Sequence, residues 1–156
     1  MKKNIIKLLL LLMGVGAVCG CSHDKDEVIY VPIFSSDTTK KGTTYDYPNW
    51  TAKQSSNFSV TMTAVCELPE SLQKDATKDD YMSAHLGGEC RAVVKPSDGM
   101  FFLNIVGTPD DSGELDIYYW CASTRYLYKV SEKVQFVPNK MYGSVDEPYV
   151  FKMERK

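Results

Sequence analysis

The sequence predicts an all-β protein, a single antiparallel β-sandwich with at most one short helix. Apolar residues recur with a period of two along most of the chain, while the period of a helix is hard to find. Turn residues punctuate these runs at the spacing of about 8–12 residues that marks sandwiches and barrels. Length and composition agree: 156 residues, 44% hydrophobic and 24% charged, suit one globular domain with a sizeable core. A formal net charge of −2 lacks the basic surface that phosphate binding needs, so no nucleic-acid partner is expected.

The chain begins with Lys2, Lys3 and Lys7 around an apolar run over residues 8–18, the layout of an export signal. No run reaches the roughly 20 apolar residues of a permanent membrane-spanning helix. Val18-Cys19-Gly20-Cys21 resembles the bacterial lipobox. That resemblance makes residues 1–20 a lipoprotein signal peptide and Cys21 the acylated first residue of the mature chain. Its removal takes away three lysines and no acid, which leaves a more acidic body with little attraction to anionic headgroups. The acyl chains, at about 0.8 kcal/mol per buried methylene, then hold the protein on the membrane. Ser22-His23-Asp24-Lys25-Asp26-Glu27 reads as a solvated tether. It also resembles the surface-export signal of Bacteroidetes lipoproteins, which implies a lipid-anchored protein of the outer membrane, displayed at the cell surface.

Residues 21–34 comprise this anchor, the acidic tether and a first strand over 28–34. Residues 35–57, rich in Ser, Thr, Lys and Asn, form a lead-in that crosses the sandwich edge, and the domain as a whole spans 35–156. Phe58, Val60, Met62, Ala64 and Cys66 alternate with Ser59, Thr61, Thr63 and Val65 and put one face toward a core. Pro69, Leu72 and Ala76 allow one short helix or an irregular loop near 69–78. Met82, Ala84 and Leu86 alternate next, Gly87-Gly88 makes a tight hairpin turn, and the chain returns through Cys90, Ala92 and Val94. Pro96-Ser97-Asp98-Gly99 signals a type I or II turn into a strand at 101–106. Pro109-Asp110-Asp111-Ser112-Gly113 turns again into 115–121. Further strands are expected at 125–130, 133–137 and 149–153. No repeat or linker divides the chain.

Several of these pieces resemble an all-β module of exported and surface proteins of Bacteroidetes. They are Met62-Thr63, the stretch Ala84-x-Leu86-Gly87-Gly88-Glu89-Cys90-Arg91-Ala92, Phe102-Leu103-Asn104-Ile105-x-Gly107, Phe136, Tyr142-Gly143 and Pro148-Tyr149. The resemblance implies an extracytoplasmic, Ig-like sandwich and carries no catalytic residues.

Candidate chemistry is sparse. Cys66, Cys90 and Cys121 fall in the inward phase of their strands and read as buried thiols. An oxidising compartment permits a disulfide, and Cys66–Cys90 is the pair to test first, worth ~3 kcal/mol. Their spacing does not suit zinc. A cysteine nucleophile needs a base, and His85 points outward. Asp110, Asp111, Glu114 and Asp116 admit a calcium loop, but Pro-Asp-Asp-Ser-Gly is a good hairpin turn by itself, so no metal and no cofactor are expected. Asp37-Thr38-Thr39 resembles the Bacteroides O-glycosylation signal, which would place a sugar on Thr38.

Aromatics carry the remaining signal: 2 Trp, 10 Tyr and 6 Phe. With Leu115, Ile117, Tyr119 and Cys121 facing the core, Tyr118 and Trp120 fall on the other face, with Tyr126 and Tyr128 beside them. Left open, such a strip suits sugar rings or a protein surface. Covered by Tyr47 and Trp50 of the lead-in, it is a second small core. The function expected from these features is a non-catalytic surface lipoprotein, a binding or accessory module for a glycan or protein. The other reading is a structural subunit of a surface appendage or envelope complex, which requires a long unpaired edge strand. An enzyme is disfavoured because no nucleophile–base pair or metal cluster stands out.

Overall fold

The computed structural model describes residues 43–156. Cys21, Thr38 and the strand expected at 28–34 lie outside the described residues. The rest is all-β, with two antiparallel-rich sheets and one short helix.

The first sheet is built on β1 (Val60–Glu67) and β4 (Met100–Gly107), paired antiparallel over eight positions from Val60↔Gly107 to Glu67↔Met100. On the other side of β1 lie two short strands, β8 (Met141–Tyr142) and β9 (Tyr149–Val150), both parallel to it. Gly143 joins this stretch with φ +66°, and a side chain there would drive into the Val65 carbonyl and the Tyr149 backbone nitrogen. Only glycine lets the chain hug β1 this closely.

The second sheet has the order β10-β6-β5-β2-β3. Its strands are β2 (Tyr81–Leu86), β3 (Glu89–Val94), β5 (Glu114–Cys121), β6 (Tyr126–Val130) and β10 (Met153–Arg155), all antiparallel. The short β7 (Val134–Gln135) continues the β6 side by pairing with Glu114 and Leu115. Gly87 and Gly88, at φ +59° and +83°, form the expected two-residue hairpin turn between β2 and β3. The Ser97–Met100 turn differs from its expected type. Asp98 and Gly99 both take positive φ, a type I′ geometry, and Ser97 and Met100 exchange both backbone hydrogen bonds. Helix α1 (Glu70–Gln73) falls inside the expected 69–78 stretch.

Between the sheets lies a core in which alternation does what the sequence asks. Met62, Ala64 and Cys66 of β1 and Phe101, Leu103 and Ile105 of β4 face Met82, Ala84, Ile117 and Tyr119 of the second sheet, all essentially inaccessible to solvent. Each large apolar side chain so buried contributes about 1.5–3 kcal/mol. Strands expected over 133–137 and 149–153 are shorter or broken. Phe151 interrupts the latter to bury its ring in the core, and β10 resumes at Met153.

Candidate functional site

The outer face of the second sheet carries Tyr81, Ser83, His85, Tyr118 and Trp120, and the lead-in lies across it. The chain enters at the β5–β6 turn, where the Tyr45 N–H donates to the Arg125 carbonyl at 2.7 Å and Asp46 pairs with the Arg125 guanidinium. It leaves at β3, where the Lys53 N–H donates to the Cys90 carbonyl at 2.8 Å and its ammonium pairs with Glu89. Between these two ties, the Tyr47 ring packs on Tyr81 and Trp120, with centroids 4.4 and 5.4 Å away. Trp50 packs on Tyr118 and His85, at 6.2 and 6.1 Å. The Trp120 indole N–H donates to the Tyr45 carbonyl at 3.0 Å, and Ser83 is fully buried under the strap.

Of the two readings of the aromatic strip, the structure adopts the covered one. Tyr118 packs tilted on the protein's own Trp50, and Trp120 meets Tyr47 edge to face. Tyr126, expected beside them, is a correction. Its register partner is Cys121, so it shares the core-side face, where the Arg155 guanidinium lies 4.6 Å from its ring. Tyr128 pairs with Tyr119 and faces the same way. The outer-face neighbours of Tyr118 and Trp120 are instead Lys129 and Leu127.

His85 couples this strap to pH. Burial lowers its pKa below the ordinary 6.5, against the opposing pull of Asp116 and a backbone hydrogen bond at Gly88. As pH falls, the unfolded chain therefore takes up its proton first. The stability this residue contributes is complete above about pH 6.5 and is lost as pH drops below that value. Thermal melts between pH 7.5 and 5 are expected to show a falling melting temperature whose slope is reduced in His85→Gln. Equal slopes in the two proteins would show that the histidine is not buried by the strap.

Cys66 and Cys90 are not joined. Both are free, as is Cys121. Cys66 faces the core, 3.5 Å from the Met82 sulfur, and burial pushes its thiol up to about 12. Cys90 was expected in the inward phase, but an irregularity in register at Ala84/His85 pairs it with His85 of the outer face. Burial raises its thiol to about 11. The Cys121 thiol moves the other way: burial raises it, but hydrogen bonds from Ser123 and Thr124 outweigh that and lower it. Two acids of the 110–116 stretch are engaged by the protein's own groups. Asp111 closes the turn by accepting the Thr108 N–H at 2.9 Å, and Asp116 pairs with Lys129 at 2.5 Å.

One polar feature of the interior was not read from the sequence. Asp80 is fully buried and accepts four hydrogen bonds: from the Thr77 N–H and hydroxyl at 2.9 and 2.7 Å, the Tyr119 hydroxyl at 2.6 Å and the Ala122 N–H at 2.9 Å. Burial, then the adjoining Asp80 carboxylate, keeps the Tyr119 phenol protonated far above its usual range. The arrangement is a brace tying the loop after α1 to the end of β5, with its acceptors already used.

The accessible feature lies at the side of the sandwich where β3 and β4 form the edges of their sheets. A cleft of about 430 Å³ opens there, lined by Lys53, Phe58, Arg91, Val94, Asn104 and Val106 among others. Arg91 is buried in its wall. Its guanidinium lies 4.5 Å from the Phe58 ring, pairs with Asp111 at 2.9 Å and Glu89 at 3.1 Å, and reaches the Val106 carbonyl at 3.5 Å. The Thr108 N–H, and then this guanidinium, hold the Asp111 carboxyl below the usual carboxylate range. With its charge matched by two carboxylates, Arg91 is part of the cleft wall and is poorly placed to capture an anion. What the cleft offers is a mixed wall, Phe58, Val94 and Val106 beside Gln54, Ser55 and Asn104, and a strand edge. No family model, no curated protein and no solved structure matches the chain.

Proposed function

We propose that the protein is a non-catalytic cell-envelope lipoprotein, anchored in the outer membrane through acylated Cys21 and exposed at the surface, that binds a protein partner through the open side of its sandwich. The observation that carries this reading is that, among the described residues, the aromatic face is covered and the β4 edge is paired with no strand. A glycan platform needs accessible rings, and Tyr118 and Trp120 pack against Trp50 and Tyr47 of the lead-in. The signal-like residues 1–20, the lipobox-like Val18–Cys21 and the acidic tether behind it support the anchoring. The same open edge favours a second reading, a structural subunit of a surface appendage or envelope complex.

Two measurements test the proposal. Replacing Cys21 by alanine is expected to move the protein out of the carbonate-resistant membrane fraction; if it stays there, the lipoprotein reading is wrong. A glycan array probed with the protein is expected to remain blank. Glycan binding that Trp120→Ala abolishes without lowering the melting temperature would replace the protein-partner reading.

A further inference from the structure

We propose that the outward edge of β4 takes up a short extended segment of a partner protein by strand addition, with Phe102 and Asn104 as the pairing residues. This rests on the reading of the protein as a binding module and names the mode of binding. The phase of the edge follows from the far side of β1. There the Thr63 N–H donates to the Lys140 carbonyl and the Thr61 carbonyl accepts the Asn139 N–H, so the odd-numbered residues of β1 turn toward β8. Met62, Ala64 and Cys66 therefore turn toward β4 and bond to their partners Ile105, Leu103 and Phe101. The N–H and C=O groups of Phe102 and Asn104 point away from β1, and among the described residues no strand pairs with that edge.

The two ends of the edge are engaged. Met100 exchanges hydrogen bonds with Ser97, and the Val106 carbonyl receives Arg91. Between them stand two donors and two acceptors at the two-residue repeat of a strand, which only an extended polypeptide matches. The occupant is therefore short, about five residues.

Its chemistry follows from the walls. From Met100 to Gly107 the edge strand carries no charge and no proline, whereas β3 carries Glu89 and Arg91, and β10 carries Glu154 and Arg155. Sheet edges left to solvent are ordinarily guarded by such residues, so an unguarded one is built to be covered. Phe102, Asn104 and Val106 lie on one face of β4, so every second side chain of an added strand would stand beside them. Phe102, 40% exposed on this face, would meet those side chains. The partner segment is thus uncharged and apolar at alternate positions.

The test uses the full chain in detergent and a seven-residue peptide alternating valine and threonine. Two further versions are N-methylated, one at every valine and one at every threonine. At millimolar peptide, amide exchange at Phe102 and Asn104 is expected to slow at least ten-fold, and N-methylation of one set is expected to abolish the effect. Asn104→Pro, which deletes an edge N–H while keeping a residue that edge strands tolerate, should lose the response, as should Asn104→Lys. The proposal is overturned if all three peptides act equally, or if none slows exchange at these two amides. It is also overturned if both amides are already protected in the protein alone: with self-association a second copy is the occupant, and without it a segment of residues 1–42 is. These results are independent of the Cys21→Ala fractionation, so failure of the edge and failure of the anchor are told apart.

Discussion

Replacing Asp80 by alanine is expected to cost about 3–5 kcal/mol of folding free energy, the largest effect of any single change considered for this protein. The carboxylate collects four donors in a site closed to water, and two of them are backbone N–H groups that cannot turn elsewhere. Removing the acceptor strands the Tyr119 hydroxyl and the Ala122 N–H in the interior, and each buried unsatisfied group costs about 1–3 kcal/mol. Asparagine should recover only part of the loss, because its amide nitrogen turns a donor toward groups that already donate. Circular dichroism melts are the measurement, with a fall of roughly 10–20 °C for alanine. A change of only a few degrees would mean that the loop after α1 is not tied to β5 in this way.

Replacing Trp120 by alanine should cost about 3 kcal/mol and leave partner binding unchanged. The indole is half-buried between the sheet and the lead-in, donates to the Tyr45 carbonyl and meets Tyr47 and Tyr81 at ring distance. Deleting it opens a void under the strap and removes one of its fastenings, so exchange at the Tyr45 and Lys53 amides should speed up together with the fall in melting temperature. A ligand platform would behave oppositely, losing ligand at constant stability. An unchanged melting temperature in Trp120→Ala would show that the strap does not rest on this face.

Much of the fold was legible because period-two alternation is a local signal. Met62-x-Ala64-x-Cys66, Leu115-x-Ile117-x-Tyr119 and the Gly87-Gly88 turn each state their own structure within a few residues. What failed depends on counts that alternation does not carry. An irregularity between Ala84 and His85 shifts the phase of β3, so Cys90 pairs with His85 of the outer face and the expected Cys66–Cys90 pairing has no geometry to form. Likewise the residues between Cys121 and Tyr126, with Arg125 at φ 57°, fix a register in which these two stand opposite one another. Tyr126 thereby leaves the strip on which Tyr118 and Trp120 sit. β8 is two residues long and held by backbone bonds to β1, too short to show a pattern. Asp80 follows Lys78 and Asp79 in what reads as a solvated loop, and only the fold reveals that it faces Tyr119. The β4 edge is a property of topology. Nothing in Met100–Gly107 distinguishes an edge strand from a central one, and its lack of charge suggests the latter.

The central claim concerns two features of the described residues, an aromatic face covered by the lead-in and a β4 edge with no strand beside it. Residue-resolved hydrogen exchange on the full chain in detergent, with no ligand added, reads both at once. Slow exchange is expected at Phe101, Leu103 and Ile105, fast exchange at Phe102 and Asn104 between them, and protection of the Trp120 indole N–H. Uniform protection from Phe101 to Ile105, or rapid exchange of that indole, would contradict the claim.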